Sequence, residues 1–325
     1  MFTLRTMWPA VFIACAAVAY GNGFTEAELT EAELVNTQHM DLKDVGSVKI
    51  TYGSDAVKLF RGDSDVLVIK EYMSIDDSDY YARVSYATAA NTERQLVIEH
   101  GKRPSSSGVG FGNDFQSRVE IYMPASFTGA VAVKVTSGSL RADDALRLSA
   151  ISLESLSGSI TLNDIKSDTA AVVKTVSGSI RVQTVAAKKI QFSTTSGSIR
   201  CDVIDGTTVI TTASGTIDLK MVTGALRANT ASGSIRCAIA ESAGDIALSA
   251  ASGSITLDIP SNMGFHFSAN MRSGSLSTPF SDQLHTPFSD RHSATGTIKA
   301  AGFAEHELIS IDISVSSGSI RVRWI

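Results

Sequence analysis

Ser177-Gly178-Ser179-Ile180-Arg181-Val182 returns as Ser196-Gly197-Ser198-Ile199-Arg200-Cys201 and again as Ser232-Gly233-Ser234-Ile235-Arg236-Cys237. Looser copies centre on Gly138, Gly158, Gly215, Gly253, Gly274, Gly296 and Gly318, so the glycines fall 18 to 22 residues apart. A fixed period of this length marks a repeat architecture in which each unit is too small to bury its own apolar face. The second residue after each glycine is aliphatic: Leu140, Ile160, Ile180, Ile199, Ile217, Ile235, Ile255, Leu276, Ile298 and Ile320. The fourth is small or apolar, with Cys201 and Cys237 among them, and the third is polar, as at Arg181, Arg200, Asp218 and Arg236. Alternation with period two is a strand pattern, one face inward and one outward.

The repeat therefore predicts an all-β chain, a single-stranded β-solenoid or β-helix with coils of 18–22 residues. Ile160, Ile180, Ile199, Cys201, Ile217, Ile235, Cys237 and Ile255 should form its core columns. Glycine at each corner supplies backbone angles other residues resist, or lets neighbouring chain approach closely. A period near 20 leaves no room for a helix of several turns beside each strand. That argues against doubly wound and barrel enzymes.

Outside the array the pattern loosens. Residues 1–19 read as a signal peptide: Arg5, an apolar run from Met7 to Tyr20, and Ala17-Val18-Ala19 as the cleavage site. An uncleaved anchor and a lipoprotein at Cys15 are the alternatives. Residues 20–44 are an acidic spacer or cap, residues 45–128 a less regular β region, and residues 129–325 the regular repeats. The closing Val322-Arg323-Trp324-Ile325 is apolar enough to help cover the last coil.

With a net charge of −5 the chain lacks the basic field that non-specific nucleic-acid binding needs. If the signal is removed, Cys201 and Cys237 are the cysteines left. They sit at the same inward position with the Gly215 coil between them, about 9.6 Å apart at two strand spacings, too far for a disulfide. Two free, buried thiols are expected. No cofactor or metal motif stands out. Gly108, Gly110 and Gly112 in the Ser105–Asn113 string lack the helix that a phosphate-binding turn requires.

Two features offer contacts. Arg181, Arg200 and Arg236 should stand above one another as a ladder, either a solvated face with alternating salt bridges or an anion-binding stripe. Residues 277–292 break the repeat and carry Thr-Pro-Phe-Ser-Asp twice, at 278–282 and 286–290. Proline interrupts strand pairing. Phe280, Asp282, His285, Phe288 and Asp290 are thus candidate binding-loop residues, the phenylalanines alternatively pinning the loop. Asp143, Asp144, Asp164 and Asp202 are the carboxylates a sugar-cleaving pair would draw on, although turns commonly hold such residues.

Together with Val119-Glu120-Ile121-Tyr122-Met123-Pro124 and the export signal, the repeats resemble the DUF4097 family of bacterial candidate adhesins. The resemblance runs from about Val45 to Ile325. It implies a β-solenoid-like, exported or membrane-associated protein without established catalytic residues. The expected function is a non-catalytic scaffold, adhesive or surface-binding, periplasmic, outer-surface or secreted. Its partner would be a glycan or an envelope protein, and no membrane span would remain after signal cleavage. An envelope regulatory domain and a carbohydrate-active enzyme are the alternatives.

Overall fold

The computed structural model describes residues 32–88, 94–103, 115–240, 243–285, 293–299 and 308–325. Residues 1–19, read above as a signal peptide, the start of the acidic stretch, the Ser105–Asn113 string, Phe288 and Asp290 lie outside the described residues.

The protein is essentially all-β. Among the described residues, helix is limited to single 3-10 turns at Ser78–Tyr80 and Ser281–Gln283. The first strands are β1 (Glu33–Met40), β2 (Val45–Tyr52), β3 (Ala56–Gly62), β4 (Leu67–Met73), β5 (Arg83–Thr88), β6 (Arg94–Glu99) and β7 (Ser117–Pro124). The repeats supply β8 (Ala130–Val135), β9 (Leu140–Ala142), β10 (Leu146–Ser155), β11 (Ile160–Thr175), β12 (Ile180–Ser196) and β13 (Ile199–Ser214). They continue as β14 (Ile217–Val222), β15 (Leu226–Ser232), β16 (Ile235–Ile239), β17 (Ile246–Ser252) and β18 (Ile255–Ile259). The last three are β19 (Phe265–Ser277), β20 (Ser293–Ile298) and β21 (Ile309–Trp324).

Two parallel ladders organise them. The isoleucine ladder runs β7–β3–β9–β11–β12–β13–β14–β16–β18–β21–β19. The second runs β6–β2–β8–β10–β11–β12–β13–β15–β17–β21–β19. Strands β11, β12, β13, β21 and β19 belong to both. Register shifts between Ser167 and Ala170 and between Ala186 and Lys189 mark where such strands turn, as an unpaired extra residue bends a strand. Because β13 pairs with both β14 and β15, and β21 with both β17 and β18, the seven strands β13–β14–β16–β18–β21–β17–β15 close into a parallel ring.

The core lies between the ladders. Leu140, Ile160, Ile180, Ile199, Ile217, Ile235, Ile255 and Ile320 are successive register partners. Ile180, Ile199, Ile217 and Ile235 are each 0% exposed. Each such isoleucine gains roughly 1.5–3 kcal/mol from burial. Beside them Ala142, Leu162, Val182, Cys201, Leu219, Cys237, Leu257 and Val322 form a second buried column. One apolar cluster extends without a break from Val45 to Val322, so the 45–128 region shares its core with the repeats.

Strand order in space departs from chain order at both ends. β2 and β3 lie between β6–β7 and β8–β9. β21 lies between β17–β18 and β19. Most of β21 is thus an interior rung, while its last residues, Val322–Trp324, pair with β18 alone and Trp324 packs over Phe265 and Phe280. The outer positions go to antiparallel strands, β5 on β6, β4 on β7 with β1 beyond it, and β20 on β19. Thr295-Gly296-Thr297-Ile298, which has the form of a repeat, runs antiparallel in β20. The described part of the 20–44 stretch, expected as a spacer or cap, holds β1, which lies antiparallel on β4.

Candidate functional site

The corner that creates the outer surface is built from glycine. A Cβ on Gly158 would lie 1.8 Å from the carbonyl oxygen of Gly138. On Gly197 it would lie 2.0 Å from that of Gly178, on Gly233 2.0 Å from that of Gly215, and on Gly318 1.7 Å from that of Gly253. Each glycine thus sits directly on the peptide of its neighbour in the stack, and close approach is the shared reason for the residue. Three positions before Gly158, Gly178, Gly197, Gly215 and Gly233 a buried hydroxyl ties the coils together. Thr175 Oγ1 donates to the Gly158 carbonyl at 3.1 Å, Thr194 to Gly178 at 3.0 Å and Thr212 to Gly197 at 3.3 Å.

With the corner fixed, outward positions stack in columns. One carries Arg181, Arg200, Asp218, Arg236, Thr256 and Arg321 as successive register partners. Arg181, Arg200, Arg236 and Arg321 are exposed. The structure therefore brings the three ladder arginines to one face, Arg181 and Arg200 on adjacent rungs, with Asp218 between Arg200 and Arg236. Two residues further along each strand lies a mixed column whose carboxylates are occupied. Asp143 accepts from Arg141 at 2.6 Å, Asp202 from Lys220 at 2.8 Å and Asp258 from Arg323 at 2.7 Å.

The second ladder carries a shallow groove of about 640 Å³, lined by Thr211, Asn229, Ser249, Asn270 and Ser314 and, two residues further along β15 and β17, by Ala231 and Ala251. A smaller neighbour of about 300 Å³ adds Arg227 and Asp312. Both are open; the larger is lined mostly by apolar surface and the smaller mostly by polar surface.

The 277–292 segment is placed in part. Phe280 is 1% exposed and packs against Phe265 and Phe267, with ring centroids 5.5 and 5.2 Å apart, and against Trp324 at 5.4 Å. It pins the segment over the core, which corrects its place among contact residues. Asp282 and His285 are exposed, and the His285 backbone bridges Thr295.

Cys201 and Cys237 are free and buried, with Leu219 between them in register. Burial pushes the Cys201 thiol up to about 12 and the Cys237 thiol further up. A thiolate is the reactive form, so both are inert.

Three of the carboxylates weighed for sugar cleavage already have partners. Asp143 and Asp202 are ion-paired, and Asp144 accepts from the Arg61 amide at 3.0 Å. Among the described residues no three His, Cys, Asp or Glu side chains gather as a metal site.

One polar cluster had no sequence signal. Asp55, 0% exposed, accepts from Arg103 Nη2 at 2.8 Å and from the Ser117 hydroxyl. Nearby, Glu71 accepts from the Ala82 amide at 2.9 Å and from Asn36 Nδ2 at 2.8 Å. Burial holds the Glu71 carboxyl above its usual range, and burial, with Glu71 and Asp55 adding, holds the Tyr52 phenol well above its own. Asp55 also lends its carbonyl oxygen to the approach of Gly138, so the cluster seats the first regular corner.

An all-β repeat protein with glycine-stacked corners and open polar faces is the class these features define. The chain matches the Toastrack DUF4097 family over residues 73–323, and it belongs to that family. It is similar to a solved structure from Parabacteroides merdae described as a candidate adhesin, with 11% identity over 90% of this chain and 96% of that one, TM-score 0.42. A candidate adhesin from Bacteroides fragilis shows 11% identity over 89% and 96%, TM-score 0.41. A candidate cell-adhesion protein from Clostridium sporogenes shows 10% identity over 89% and 98%, TM-score 0.27. No curated protein matches the chain. Among the described residues no helix is long and apolar enough to cross a membrane.

Proposed function

We propose that the protein is an exported, non-catalytic surface-binding module of adhesin type, its chain wound as a single-stranded β-solenoid. The in-register parallel pairing of one repeat on the next supports the winding. In that reading the ring of seven strands is the cross-connected wall of one coil stack, closed because β13 and β21 each turn a corner. The observation that carries the function is the outer surface itself. The same outward position recurs at about 4.8 Å on every rung, giving long polar columns and open grooves in place of a convergent reactive centre. Such a surface suits an extended polymer held by many weak contacts.

The test is retention of the purified protein on immobilised polysaccharides, with release of reducing ends measured in parallel. Saturable retention without release of ends is expected. Turnover of any bound sugar would overturn the non-catalytic reading. Capture of an envelope protein with no polysaccharide retained would move the assignment to a protein-interaction domain. Export rests on the pattern around Arg5 and Met7–Tyr20, and a mature N-terminus at Tyr20 is its expected signature.

A further inference from the structure

We infer that the column Arg181–Arg200–Arg236–Arg321 is a binding site for a linear acidic polysaccharide, one bearing carboxylate or sulfate groups along its length. The inference rests on the surface-binding reading and adds the site and the ligand class.

Geometry comes first. Arg181 pairs in register with Arg200, Arg200 with Asp218, Asp218 with Arg236, Arg236 with Thr256 and Thr256 with Arg321. Five strand spacings make a straight line of roughly 24 Å. Beside it, one position after each corner glycine, runs a row of half-buried hydroxyls that includes Ser179, Ser198 and Ser234. Guanidinium forks flanked by short hydroxyl donors match the planar oxygens of carboxylate and sulfate.

Charge bookkeeping is the second observation. If this face were only a solvated one, its arginines would be expected to use the nearby carboxylates. Arg141, two rungs before Arg181 in the column, does so, but the four beyond it do not. Asp143, Asp202 and Asp258 are bound to Arg141, Lys220 and Arg323. Among the described residues Arg181, Arg200, Arg236 and Arg321 have no ion pair. Like charges directly opposite on neighbouring strands destabilise a sheet. The chain, with a net charge of −5, nonetheless sets Arg181 against Arg200. A bound polyanion would offset that repulsion.

The line shape selects the polymer. A flat anionic bilayer would bring Asp202 and Asp258 to its surface with the arginines. A nucleic acid would call for aromatic stacking partners, and the column has none. A sugar chain, with one residue to about one rung, follows the line.

The experiment measures retention on polygalacturonate and dextran sulfate, with dextran as the neutral arm and single-stranded DNA and phosphatidylglycerol vesicles as the competing polyanions. The wild-type protein should bind the two acidic polysaccharides best, and the binding should fall as salt rises from about 0.05 to 0.5 M. R181Q/R200Q/R236Q should weaken it about tenfold. D218N, which removes the one negative rung, should tighten it a few-fold. R147Q/K188Q/K189Q, which removes equal charge elsewhere, should leave it unchanged. All these side chains but Asp218 are exposed, so each variant should melt cooperatively, and R181Q/R200Q/R236Q, relieved of the Arg181–Arg200 repulsion, no lower than the wild type. Unchanged binding in the arginine variant, no gain in D218N, or stronger retention of DNA or vesicles overturns the inference. Equal binding of neutral dextran, insensitive to the arginines, overturns it while the surface-binding reading stands. Retention on none of the polysaccharides overturns both.

Discussion

In the middle of the molecule, from β10 to β18, each coil stacks on the one just before it in the chain. At the two ends it does not. β2 and β3 slot beneath β8 and β9 with β6 and β7 outside them, and β21 slots between β18 and β19. The middle is held by contacts about one repeat apart in sequence. The ends are held by contacts such as Ser249–Ser314 and Asp258–Arg323, each 65 residues apart. A repeat motif can therefore dictate how a coil is shaped without dictating where it goes. Stacked parallel edges need closing, and the ends close them by reordering strands and adding antiparallel ones.

Two deletions of equal length would break this comparison most visibly. Removing residues 197–214 takes out one coil and joins Ser196 to Gly215, which restores the glycine column in register. The shortened protein should still unfold in one cooperative urea transition, with slightly reduced stability. Removing residues 308–325 strips an interior rung and leaves β17, β18 and β19 with unpaired edges. Loss of cooperative folding in the C-terminal half is expected, read as a broadened or biphasic circular-dichroism transition. If both deletions behave alike, the ends are not ordered differently from the middle.

The corner can be tested residue by residue. Gly215 has φ +148°, and a Cβ there would stand 2.0 Å from the Gly197 carbonyl oxygen. Gly215→Ala combines backbone strain with overpacking and should cost about 3 kcal/mol. At Gly244 the nearest atom to a new Cβ is 3.1 Å away and the backbone angle is ordinary. Gly244→Ala should cost about 1 kcal/mol or less. Chemical denaturation of the pair separates a stacking glycine from a turn glycine; equal losses would deny the close-approach role.

The aliphatic columns and the arginine column were legible because both follow from parity after each glycine. The strand order was not. Ser273-Gly274-Ser275-Leu276 and Ser317-Gly318-Ser319-Ile320 are locally equivalent, and either could stack on Gly253. Gly318 does so, and Gly274 stacks on Gly318 in turn. Alternation with period two has no direction, which is why Thr295–Ile298 reads as a repeat yet runs antiparallel. Phe280 looked like a loop residue beside Pro279, but its pocket is made by Phe265, Phe267 and Trp324 from two other strands. The Asp55 cluster joins side chains 48 and 62 residues apart, a spacing with no local signature.

The smallest effect belongs to the cysteines, which occupy a column otherwise filled by Ala142, Leu162, Val182 and Leu219. If they are only small apolar fillers, Cys201→Val should change stability by less than about 1.5 kcal/mol, as a near-isosteric core exchange does. Their ionisation gives a second handle. Burial raises the Cys201 pKa from 9.0 to about 12, so the folded state disfavours the thiolate. The unfolded chain releases this proton at lower pH than the folded one. The resulting stabilisation is complete below pH 9 and is lost as pH climbs toward 12. The wild-type protein should thus lose stability over that alkaline range more steeply than C201V/C237V, and neither native thiol should react with a thiol reagent at pH 8. Rapid labelling of the folded protein would place a cysteine at the surface and remove it from the column that defines the middle of the stack.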